Sequence, residues 1–336
     1  MEINFQHIQA AHCENGVTTN LLRHIGIPQM TEPLVFGIGA GIFYIHIPFL
    51  KISGGPAISF RTMPGWIFNR TCSALDIPVE RRKFNDRKKA QEFLDNCLAN
   101  NQPAGCQVGV YFLTYFPKEF RFHFNAHNIV VFGKEGDNYL VSDPVMETTT
   151  HLSSYDLERV RFAKGALAPN GQIYYPKKGH VVTDEDIRKA IKRGIKHASW
   201  FMTETPVPIL GVAGIRYTAN RIKTWREKLG PKMGGTYLAQ LVRMQEEIGT
   251  GGGGFRFVYA AFLQQAYNYI PNDTLLQASE KFTAIGDQWR TAAVQASGIY
   301  KGRLSEQNDF NQMGDYLLDI ANKEKEAFKL LYKIKW

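Results

Sequence analysis

Long hydrophobic runs are missing from this 336-residue sequence; no apolar stretch approaches the roughly 18 residues that a membrane-spanning helix needs. The opening segment, MEINFQHIQAAHC, lacks the basic stretch and apolar core of a secretory signal, so none is expected. Cysteine is scarce. Cys13, Cys72, Cys97 and Cys106 are the only four, and no two stand in a CxxC spacing. That argues against a structural zinc site and against a disulfide framework, and it makes a reducing cytoplasm the expected setting. Acidic residues are outnumbered, 31 against 40 Lys and Arg, which leaves a formal charge of +9. The excess clusters in ERRKFNDRKK (80–89) and again between Arg188 and Lys232. Such patches suit an acidic partner. No nucleic-acid-binding motif accompanies them, so nucleic acid is not the expected one. Hydrophobic residues make up 44% of the chain and charged ones 21%, the balance of a globular protein with one large core or two.

The patterning changes along the chain. EPLVFGIGAGIFYIHIPFL (32–50) reads as a short apolar stretch, a glycine turn and a strand. Gly37, Gly39 and Gly41 lack the spacing and the following helix of a dinucleotide loop. Residues 86–98 put Ala90, Phe93, Leu94, Cys97 and Leu98 on one helical face, which makes Cys97 a core residue. AGCQVGVYFLTYF and HNIVVFGKEGDNYLVSDPV are rich in β-branched and aromatic residues and read as strands. From about residue 181 the pattern is helical throughout. Thr183 with Asp186 three positions on opens the first of these helices as a capping box, and later ones are predicted over 211–229, 234–248, 255–269, 274–298 and 308–334. The expected architecture is α+β: residues 1–165 as a helix on a small antiparallel sheet, then an all-α domain over 166–336.

AAHCENGVTTNLLRHIG (10–26) sets a cysteine at the doorway of a helix. Val17, Leu21, Leu22 and Ile25 follow at helical spacing, and Gly26 ends the run. A helix N-terminus favours a thiolate, and with nearby cations it can draw a cysteine pKa from about 8.5 down to roughly 3.5–7.5. A lone cysteine is more often a small buried hydrophobe, so the rest of the chain must supply a base. Centring the second strand pair on Glu135 sets Gly133 opposite Asp137 and His127 opposite Asp143. Cys13, His127 and Asp143 then form a Cys–His–Asp set, in which His takes the thiol proton, the carboxylate fixes the imidazole and the thiolate attacks an acyl carbon. The order Cys, His, Asp is that of papain-like folds. There a Gln shortly before the nucleophile often serves the oxyanion; Gln6 and Gln9 both qualify. His12 is a rival base by proximity, although chain neighbours rarely face each other. His123 is a further candidate for the same cleft.

AHCENGVTTNLLRHIG…MTEPLVFGIGAGIFY, QPAGCQVGVYFLTYF and AHNIVVFGKEGDNYLVSDP resemble the BtrH-like family, named after the butirosin-biosynthesis acyltransferase. GTGGGGFRFVYAAFLQQA is similar to the helical domain that often accompanies it. The resemblance implies a cytoplasmic cysteine acyltransferase with Cys13 as nucleophile, His127 as base and Asp143 as orienting carboxylate. It implies an acyl group carried on phosphopantetheine by an acidic acyl carrier protein, a small amine or hydroxyl acceptor, and no cofactor of the enzyme's own. One departure is Gly109, where relatives carry an acidic residue. Two other readings use the same residues. A thiol peptidase or amidohydrolase would pass the acyl group to water, and a non-catalytic binding module would keep Cys13 as core. The glycine run before Arg256 suits an anion at a helix start, such as the phosphopantetheine phosphate, with Arg221 and Arg226 meeting the carrier. The competing reading of that run is a tight helix connection with Arg256 paired to a carboxylate.

Overall fold

The chain turns helical at Cys13 because His12 caps it. His12 keeps an extended backbone, and its Nδ1 accepts the Asn15 N–H at 3.3 Å, so one donor of the first turn is satisfied by a side chain. The computed structural model describes residues 3–52 and 54–336. Helices α1 (Cys13–His24) and α2 (Glu32–Ile38) precede a long hairpin of β1 (Ile42–Ile52) and β2 (Gly55–Arg61). After α3 (Trp66–Ala74) come β3 (Val79–Arg82), α4 (Arg87–Ala99) and β4 (Ala104–Val108). Strands β5 (His127–Glu135), β6 (Asn138–Ser142) and β7 (Thr150–Ser153) lead to α5 (Ser154–Arg161) and β8 (Ile173–Pro176). Helices α6 (Asp184–Thr203), α7 (Gly211–Val242), α8 (Arg256–Tyr269), α9 (Asp273–Tyr300) and α10 (Gln307–Tyr332) follow. Among the described residues no helix is long and apolar enough to cross a membrane.

Two compact units emerge, one of residues 1–35 with 68–182 and the other of residues 36–67 with 183–336. The first is built on a six-stranded antiparallel sheet in the order β3-β8-β4-β5-β6-β7. Strand β8 enters between β3 and β4, so a boundary at 165/166 would cut it from the sheet it completes. Leu94, Val108, Ile129, Val131, Val141 and Leu157 form the centre of this unit's core, with Cys97 and Cys106 among them. The α+β class, with a helix laid on an antiparallel sheet and a helical second half, is as the sequence indicates.

The second unit joins α6–α10 to the β1–β2 hairpin. Thr183 and Asp186 form the expected capping box. The break expected after residue 229 is a kink inside α7, where Gly230 takes φ 79° ahead of Pro231. EPLVFGI is α2, a helix where the sequence suggested only an apolar stretch. Gly37 is required there by a close approach, since a Cβ would lie 2.1 Å from the Phe262 ring.

The hairpin register differs from expectation. The turn is the two-residue Gly136-Asp137, with Glu135 opposite Asn138, and a bulge between Val131 and Gly133 shifts the ladder again. Val130 therefore faces Ser142, and His127 is not opposite Asp143 in the ladder. Asp143 lies one residue beyond the end of β6, and its side chain reaches back.

Candidate active site

Cys13 is the first residue of α1 and is 8% exposed; its helix packs on β5. Gly16 makes that seating possible, because a Cβ there would lie 2.3 Å from the Pro144 Cβ. The segment before the helix is bound to the same place, with the Ala10 N–H donating to the Pro144 carbonyl at 2.7 Å. Glu32, which the sequence reading passed over, ties down the helix entrance. Its carboxylate accepts the Ala11 and His12 N–H groups at 2.8 Å each and the Asn15 amide at 3.4 Å. Burial raises its pKa against these three hydrogen bonds, which favour its charge.

His127 Nε2–H donates to Asp143 Oδ2 at 2.7 Å. Asp143 is fully buried, and its carboxylate also accepts the Tyr115 hydroxyl at 2.8 Å and the Val145 N–H at 3.2 Å. Phe116 stands edge-on to the imidazole. Burial works against a charged His127, yet the Asp143 carboxylate and the Cys13 sulfur, both also hydrogen-bonded to it, raise its pKa to about 10. The structure thus brings the three expected residues together, with the imidazole between thiol and carboxylate. Chemically, an imidazole so placed is able to take a thiol's proton, and a sulfur at a helix N-terminus is suited to act as a nucleophile.

A fourth side chain, missed in the sequence, belongs to the cluster. Asn128 Nδ2 donates to Cys13 Sγ at 3.9 Å and to the Ala126 carbonyl at 3.1 Å, and its Oδ1 accepts the Tyr174 hydroxyl at 2.8 Å. Strand alternation leads one to expect Asn128 on the face opposite His127, so no signal in the sequence pointed to it, yet both side chains meet the Cys13 sulfur.

The other candidates lie elsewhere. Gln6 and Gln9 are both exposed. Gln9 lines a cavity of about 200 Å³ with Gly16, Asn20, Arg23 and Glu32, and Cys13 is not among its lining residues. His12 serves as the helix cap. His123 is exposed and stacks on Tyr111, ring centroids 4.2 Å apart. Gly109 abuts Ala163 and Asn125, where a Cβ would meet their atoms at 2.5 and 2.8 Å, so a larger residue would need that loop to shift.

The phosphate site is a correction; of its two readings, Arg256 takes the carboxylate pair. Arg256 is wholly buried, bound bidentately to Glu324 at 2.9 and 2.8 Å and to the Gly254 carbonyl at 2.6 Å. The glycine run beside it turns through positive φ at Gly251, Gly252, Gly253 and Gly254, and the Gly253 N–H already donates to the Glu246 carboxylate. The chain's own carboxylates occupy the places offered to an anion. Arg226 binds the Ser305 carbonyl and Glu306, and Arg221 lies over the Tyr217 ring. Among the described residues, no group of three His, Cys, Asp or Glu is placed to hold a metal ion.

Residues 12–144 match the family model described as butirosin biosynthesis protein H, N-terminal, and residues 155–331 match a domain of unknown function (DUF4872). The chain belongs to the BtrH-like family. The N-terminal match spans Cys13, His127 and Asp143, and the second covers more than half of the chain. No curated protein matches the sequence. A crystal structure described as a C39-like peptidase from Bacillus anthracis aligns at 12% identity over 54% of this chain and 100% of that one, with a TM-score of 0.36. At that score the likeness bears on neither the fold nor the chemistry of this BtrH-like chain.

The four thiols of this family member differ in environment. Burial pushes the Cys72 thiol up to about 12 and Cys97 to about 11, and it raises Cys106 as well. Iodoacetamide at pH 7 followed by peptide mapping is expected to label Cys13 first and the other three slowly or not at all. Labelling spread evenly over the four would contradict the assignment of Cys13 as the reactive thiol.

Proposed function

We propose that the chain is a cysteine acyltransferase, with Cys13 as nucleophile, His127 as base and Asp143 holding the imidazole. Cys13 Sγ, its proton passed to His127, attacks the carbonyl carbon of an acyl thioester, and the carbonyl π pair moves to oxygen. Collapse of that intermediate breaks the bond to the donor sulfur, which leaves as a thiol with the proton from His127. An amine or hydroxyl then gives its proton to His127, attacks the acyl carbon and frees Cys13. The observation that carries this reading is the buried relay of His127 between Cys13 and Asp143 at the first residue of α1.

The donor we propose is an acyl group on the phosphopantetheine of an acidic carrier protein, with a small-molecule acceptor. Two things support it: the matched family carries the name of a biosynthesis protein, and the chain's net charge of +9 suits an acidic donor. Arg256 takes no part in it. Intact-mass spectrometry after incubation with a panel of acyl thioesters, free and carrier-bound, tests the proposal. The expected result is a mass increment of one acyl group, absent in Cys13→Ala and discharged by an added amine. An increment that only water discharges would favour the hydrolase reading, and no increment with any donor would end the proposal.

A further inference from the structure

The proposed acyl transfer needs a hydrogen-bond donor for the oxyanion, and the glutamines expected to supply it are not the amides that the structure sets beside the sulfur. We propose that Asn128 is the side-chain donor of the oxyanion hole. The inference rests on the acyl-enzyme reading above. It concerns the step in which Sγ bonds to the acyl carbon and the displaced π pair settles on oxygen.

The amide is held in one orientation from three sides. Its Nδ2 carries two hydrogens, and one is engaged by the Ala126 carbonyl at 3.1 Å. A carbonyl only accepts, so turning the amide over would set oxygen against oxygen there. Oδ1 is engaged by the Tyr174 hydroxyl at 2.8 Å. Burial keeps Tyr174 protonated, with its pKa raised well above the usual value, so it remains a donor. The Tyr174 ring packs on Phe68 and against Gly105, where a Cβ would lie 2.6 Å from it, so the anchor is itself fixed. The remaining amide hydrogen is left for the space at Cys13 Sγ.

The distance fits an oxyanion better than a sulfur. At 3.9 Å the contact is long for an N–H···S bond. An oxyanion lies two bonds from Sγ, and its donors serve from about 2.7–3.1 Å, so an amide at this separation can reach that oxygen where it stands to one side of the line from amide to sulfur. Asn128 is 5% exposed, and a donor in so dry a place is already oriented when charge develops. The backbone N–H of Cys13, at the first position of α1, is the natural second donor.

Two reactions of the same sulfur separate this role from a structural one. Acylation by p-nitrophenyl acetate passes through an oxyanion whether water or an amine later discharges the enzyme. Alkylation by iodoacetamide does not. Asn128→Ala is expected to slow acylation by about 10²–10³-fold while the alkylation rate stays within about threefold. Tyr174→Phe keeps the ring and removes only the hydroxyl, and it should slow acylation by about tenfold with alkylation again little changed. It carries the test if Asn128→Ala does not fold. Equal losses in both reactions, or wild-type acylation in a folded variant, would overturn the role of Asn128 and leave the acyl-enzyme reading standing. A wild-type protein alkylated at Cys13 but never acylated there would overturn both.

Discussion

Asp143→Asn is expected to lower the rate of Cys13 acylation by about 10³–10⁴-fold with little change in fold. An asparagine can present its amide to His127 Nε2 and so favour the wrong tautomer, leaving no acceptor for the thiol proton. The pH profile gives a second readout. Burial lowers the His127 pKa; of the influences that raise it, the Asp143 charge is the largest. Wild-type His127 is therefore protonated through neutral pH, and the alkaline limb of the rate profile belongs well above pH 7. Without the carboxylate the imidazolium loses its proton at lower pH, and that limb moves down. Stopped-flow acylation across the pH range measures both effects. Near-wild-type rates with an unmoved profile would mean that another group orients the base.

The first half of this cluster was legible in the sequence and the second was not, for identifiable reasons. Cys13 was found because a helix entrance leaves a periodic apolar trace behind it. His127 and Asp143 were paired by counting back from a turn. The pairing holds although the count did not, since a bulge at Val131/Gly133 and a side chain reaching past the strand end bring the two together. Neither device leaves a sequence mark. Glu32 and Asn128 act through backbone N–H groups and a sulfur, partners that carry no residue-type signature. The capping box at Thr183 and the Gly230-Pro231 break were readable because both are local. A carboxylate partner for Arg256 is among the readings the sequence allows, but not which one, because Glu324 lies 68 positions away.

That pair supports the second large effect. Arg256 and Glu324 are fully buried, Glu324 also accepts the Trp289 indole N–H at 2.7 Å, and the guanidinium lies near the Phe60 and Trp289 rings. Glu324→Gln leaves a buried cation without its counter-charge, a change that typically costs about 3–5 kcal/mol. Urea unfolding followed by tryptophan fluorescence is expected to show a loss of that order. The double variant Arg256→Met, Glu324→Leu should recover part of it, because an apolar pair leaves no buried charge, while the Trp289 indole N–H and the Gly254 carbonyl lose their partners. A loss under about 1 kcal/mol in Glu324→Gln would show that water reaches the site.

The place of β8 has a consequence for the chain as it is made. Translation delivers Cys13 early and the strand for the gap between β3 and β4 late; Asn128 precedes its anchor Tyr174 by 46 residues. A nascent chain that ends before residue 173 lacks both the strand that lies between β3 and β4 and the hydroxyl that anchors Asn128. Adding that strand closes a long loop, the kind of non-local pairing that forms slowly. The sulfur therefore meets its full set of partners only once residues 173–176 have joined the sheet.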